Sequence, residues 1–169
     1  MHYILILARI VHIVSAVLWA GGFAAFLLHI QPALNKTMPA SEPFFLSFMK
    51  TFSPFMAVVA PLTVLGGAFL YWTDSAGLRL GWITTHAGLG FTFGGLCGFA
   101  AFIIGFFILR PRVDRLIALM SQAAASNQPP TPEAAAEMAK VSRAIVPLSH
   151  ATLAFLGLAL LAMATSRYL

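Results

Sequence analysis

Four stretches of this sequence carry no charged residue: Ile10 to Asn35, Thr51 to Thr73, Leu80 to Leu109 and Ala144 to Ser166. Each exceeds the roughly 20 helical residues that cross a hydrocarbon core. A backbone facing lipid must satisfy its own hydrogen bonds, which favours helices over other spanning structures. The pattern predicts an all-α, integral membrane four-transmembrane-helix bundle with up-down topology. It forms one domain over 1–169, with spans near 5–30, 54–73, 82–109 and 144–166 and an amphipathic cytoplasmic connection over 110–143. Only 9% of residues are charged, against about a quarter in a soluble domain, so the lipid bilayer is the expected surrounding.

The first run has the length of a span, and no small-x-small site follows a short apolar core, so it reads as a helix and not as a cleavable signal. The single cysteine, Cys97, lies within the third run. It excludes an internal disulfide and a CxxCH haem attachment. The net charge of +5 reads as topology, with no nucleic-acid partner. Lys36, Lys50, Arg110, Arg112, Arg115, Lys140 and Arg143 fall in the first and third connections, while Arg9, Arg79 and Arg167 fall on the other side. Basic residues favour the cytoplasmic side. In a bacterial inner membrane both termini would then be periplasmic.

Prolines and caps punctuate the helices. Pro32 is expected to end the first and Pro111 the third. "PFFLSFMKTF" reads as an interfacial segment, with Ser53 and Pro54 opening the second span and Pro61 bending it. Trp82 would anchor the third span at the interface. "RVDRLIALMSQAAASNQ" reads as an amphipathic surface helix, and Thr131 as the cap of a last helix with Pro132 and Glu133 in its first turn.

The histidines sort by depth. His12 and His86 belong to the outer end, and His29 and His150 to the inner end. Polar side chains inside lipid are costly and usually functional. Neutral imidazole binds haem iron or copper well. Packed helices lie 8–10 Å apart, so diagonal members of a square bundle are roughly 11–14 Å apart, a gap that suits two imidazoles holding one iron. His86, Gly90, Gly94 and Gly98 recur every four residues. That stripe would admit a flat macrocycle, or equally pack a neighbouring helix. Arg9, one turn before His12, could pair with a propionate. Trp19 lies too deep for an interfacial anchor and reads as core or as a stacking partner of a cofactor. No carboxylate lies within any of the four runs, which argues against a proton-driven transporter and a carboxylate-metal enzyme.

"RIVHIVSAVLWAGG" resembles the first helix of the HemJ/CopD-like membrane proteins, through Arg9, His12, Trp19 and Gly22. Gly81-Trp82 and the later Arg143 and Pro147 also match that pattern. His86 stands where HemJ-type proteins carry a lysine, and "FAAFLLH" replaces their Tyr-Leu-Pro-Arg stretch. The resemblance implies b-type haem with His12 as a ligand, and a haem-dependent oxidoreductase if the protein is an enzyme. The resulting expectation is a haem b protein that moves electrons. His12 and His86 would hold the iron, with Arg9, Trp19, Gly90 and Gly94 around the haem and His29 and His150 as candidates for a second. The alternatives are a CopD-like copper carrier and a cofactor-free subunit of a respiratory complex. A quinone or another redox partner would exchange the electrons. A homo-oligomer is compatible with the sequence.

Overall fold

The structure, a computed structural model, describes residues 2–126, 130–166 and 168. Arg167, counted above among the outer basic residues, and the end of the expected surface helix at Asn127 and Gln128 lie outside them. The described residues are all helical apart from short connections, and four helices are long and apolar enough to cross a membrane. They are α1 (His2–Thr37), α2 (Glu42–Asp74), α4 (His86–Ser126) and α5 (Pro132–Thr165), with the single turn α3 (Leu80–Ile83) between α2 and α4. The tightest pairings are α1 with α2 and α4 with α5, while α2 with α4 and α1 with α5 close the bundle. α1 and α4 therefore stand on a diagonal. Large apolar side chains such as Leu7, Val17, Leu65, Leu96, Phe107 and Leu161 are exposed around the outside, as expected of helices whose solvent is hydrocarbon.

All four spanning helices are longer than their uncharged runs, and the expected proline stops do not hold. Pro32 lies inside α1 and Pro111 inside α4. Each follows a π-helical turn, Phe26–Ile30 in α1 and Ile103–Leu109 in α4. The residue before each proline closes an i to i−5 bond: Gln31 N–H donates to the Phe26 carbonyl, and Arg110 N–H to the Gly105 carbonyl. A proline ring normally collides with the carbonyl four residues back. Widening the preceding turn is one way membrane helices absorb it. Ser53 and Pro54 likewise do not open the second helix. It begins at Glu42, and both Pro54 and Pro61 lie inside it.

Two threonine caps set helix starts. Thr131 Oγ1 accepts from the Ala134 N–H at 3.3 Å, with Pro132 and Glu133 in the first turn as expected. Thr85 Oγ1 accepts from the Gly88 N–H at 3.0 Å. The second cap makes His86 the first residue of α4, where it is exposed. Trp82 sits before that cap, in α3, stacked on Phe91 and edge-on to Tyr71.

The core lies at mid-bundle, where Trp19 and Ala20 of α1, Val59 and Ala60 of α2, Ala101 of α4 and Leu156 of α5 meet. Below it the helices continue beyond the uncharged runs. There Arg115 donates to Glu137 at 2.8 Å, and Ser53 to Asp114 at 3.1 Å, tying the extension of α4 to α5 and α2.

Candidate functional site

Two features stand out, one on each side of the core. The outer one is a polar layer between α1 and α2. His12 is partly buried, and its Nδ1 lies 2.8 Å from the backbone carbonyl of Thr63. A carbonyl oxygen can only accept, so Nδ1 carries a proton, and in the neutral ring Nε2 is the nitrogen with the free lone pair. The ring fits because α2 presents Gly66 and Gly67 to it. A methyl group on Gly67 would lie 2.8 Å from His12 Cε1 and 3.1 Å from Nδ1, closer than packed atoms tolerate. Ser15 and Thr63, both buried, share a hydrogen bond of 2.9 Å one turn deeper. Toward the outer surface, Arg9 pairs with Asp74 at 3.7 Å, both about half exposed.

The same layer extends to α4. Thr92 Oγ1 donates to the Gly88 carbonyl at 2.7 Å, so the Tyr71 phenol is the donor in its 2.6 Å contact with Thr92. Gly90 and Gly94 face α5. A methyl group on Gly94 would meet Met163 Cγ at 2.8 Å and the Ala159 carbonyl at 3.2 Å, and one on Gly90 would run into Ser166. Of the two readings of the glycine stripe, this geometry is that of a helix-packing seam.

Arg9, His12, His86, Gly90 and Gly94 share one end of the bundle, but His12 and the two glycines face different helices. His12 faces α2, whereas His86 opens the stripe that runs against α5. Arg9 has Asp74 as its partner. Trp19 is buried in the core, 4% exposed. His29 is exposed, and so is His150, whose Nδ1 donates to the Val146 carbonyl of its own helix at 2.8 Å. Among the described residues, no three His, Cys, Asp or Glu side chains are placed to share a metal ion. Thr63 and the Gly66-Gly67 pair escape a reading based on histidines. Their signal is a small-residue notch seven residues before Asp74, at the depth of His12.

The inner feature is a partly open cavity of about 540 Å³ lined by all four long helices. Trp19, Ala60 and Thr152 line its deep end, and Asn35, Glu42 and Arg110 line it toward the inner side. Its walls are mostly apolar, and both π-helical turns contribute, through Phe26 and Phe106. π-turns often mark functional positions. Neither His29 nor His150 lines it. Comparison with protein-family models, characterised proteins and solved structures finds no match for this chain.

Proposed function

We propose that the protein is a b-type haem protein of a bacterial inner membrane that passes electrons, with His12 as an axial ligand and both termini periplasmic. The observation that carries this reading is the 2.8 Å hydrogen bond from His12 Nδ1 to the Thr63 carbonyl. Ligating histidines commonly donate their second ring N–H to a carbonyl, which fixes the tautomer and aims the free nitrogen. His12 meets that requirement within an apolar helix, where an idle imidazole is costly.

The residues fit haem in part. His12 has the donor chemistry, and His86, on the diagonal helix at the same end, supplies a second imidazole. Gly90 and Gly94 are filled by α5, so they drop out of the haem surroundings, and Trp19 belongs to the core and the inner cavity. Haem would supply one-electron chemistry, which burial and the axial ligands tune. The chain's own contribution is to hold the His12 ring through Thr63 and Gly67, and to keep water from it with the apolar flanks of α1 and α2. The seven-to-three distribution of Lys and Arg supports the orientation.

The absorption spectrum of the purified protein tests this. Low-spin bis-imidazole haem is expected in the native chain, and its loss in His12→Ala and in His86→Ala. Well-folded but colourless protein, produced with ample haem, overturns the reading. So does a low-spin spectrum that survives both substitutions.

A further inference from the structure

The inner cavity lies apart from the His12 layer, and one residue of its lining, Arg110, has a buried side-chain donor without a hydrogen-bond acceptor. Arg110 Nε is the single buried side-chain nitrogen or oxygen among the described residues that lacks a hydrogen-bond partner. Arg110 lines the cavity. Its guanidinium lies over the Phe106 ring, 5.3 Å from the centroid, and Nε is 3.6 Å from Asp114, beyond hydrogen-bond reach. An unmet buried donor is expensive, and a ligand that accepts there would remove the deficit.

We propose that this cavity binds a neutral amphiphile with a planar, carbonyl-bearing head and a long apolar tail, the chemistry of a prenyl quinone. Charge decides against an acidic head. Asp114 already offsets the Arg110 cation, and Glu42 lines the same cavity. A carboxylate or phosphate head would therefore meet a cation already paired with Asp114 and, in the cavity wall, the Glu42 carboxylate. A carbonyl oxygen needs only the idle N–H. Shape supports a ring followed by a tail. From Trp19 to Asn35 the α1 wall is sixteen residues, roughly 24 Å of helix, long for a compact solute. Phe26, Phe52 and Phe106 give the walls flat aromatic faces, which favour stacking with a ring. The head lies at the level of Arg110, and the tail runs up to Trp19 in the hydrocarbon layer.

The test is the melting temperature of the purified full-length protein in detergent, titrated separately with decylubiquinone, oleate and dioleoylglycerol. A ligand that binds only the folded state raises the melting temperature in a concentration-dependent, saturable way. Decylubiquinone should do so, and the other two should do so only weakly. Ala57→Phe, which fills the cavity without touching a hydrogen bond, should abolish the shift. Arg110→Lys, which keeps the charge but loses Nε–H, should weaken binding roughly tenfold, in line with the loss of one charge-assisted hydrogen bond. No shift with decylubiquinone overturns the proposal, as does a shift retained in Ala57→Phe. An equal or larger response to oleate or to dioleoylglycerol rejects the quinone head in favour of an acyl lipid. Unchanged affinity in Arg110→Lys removes Arg110 as the head's donor. None of these readings depends on haem.

Discussion

His12 and Gly67 touch across the α1–α2 interface so closely that a single methyl group between them would displace the imidazole. The contact couples a helix-packing detail to the tautomer of His12, whose ring is held by a backbone carbonyl of α2. Gly67→Ala should therefore act on the ring. Overpacking of this kind costs about 1–3 kcal/mol. A lowered melting temperature and a haem spectrum shifted away from the low-spin form are expected. An unaltered spectrum would show that His12 does not ligate.

The Ser15–Thr63 hydrogen bond tests how much the polar layer contributes to stability. Interhelical hydrogen bonds in membranes average about 0.6 kcal/mol. Ser15→Ala should lower stability by about that amount in a reversible unfolding assay. It should leave the His12 spectrum intact, because the acceptor for Nδ1 is the Thr63 backbone and not its hydroxyl. Loss of the spectrum in Ser15→Ala would mean that the layer works as one unit.

Gly94→Leu addresses the seam between α4 and α5. Met163 and the Ala159 carbonyl already occupy the space a side chain would need. Separating these helices should destabilise the bundle by about 1–3 kcal/mol or more, read as a lower denaturation midpoint, while the chain still inserts, because leucine suits a membrane helix. Wild-type stability with selective loss of haem would restore the glycine stripe as a cofactor cradle.

Orientation is open to a direct measurement. A reporter fused after Gln128 should be active on the cytoplasmic side and one at the C-terminus on the periplasmic side. The Gln128 fusion reporting from the periplasm would invert the assignment.

Sequence and structure agree where the physics is local or merely additive. The four spans are legible because the absence of charge over twenty residues has one cheap solution in lipid. The Thr131 cap is legible because Thr-Pro-Glu satisfies orphan N–H groups without help from elsewhere. Pro32 and Pro111 do not stop their helices because a π-helical turn precedes each, and nothing in "FLLHI" or "IIGFFIL" announces a wider turn. A span that opens near residue 82 differs from the structure, in which a new helix starts at His86. Thr85, as an N-cap, offers the correcting signal. The acceptor for His12 was out of reach, since it is a backbone carbonyl 51 residues away, and no pattern of side chains encodes it. Depth brought His12 and His86 to the same end of the bundle, but it could not say which neighbour each would face.

The two wide turns also set the rotational phase of everything beyond them. A bond closed one residue later than usual inserts a residue without advancing the screw, which is about 100° of rotation. The stretch of α1 after Ile30 is thus out of step with the span that feeds it, and the same holds for α4 after Leu109. That offset brings Leu34 into the packed interior and Asn35 to the cavity. Deleting a single residue from Phe26–Ile30 would bring the helix back into step and swing both away. The length of those five residues, more than their identity, is what aims the inner third of the protein.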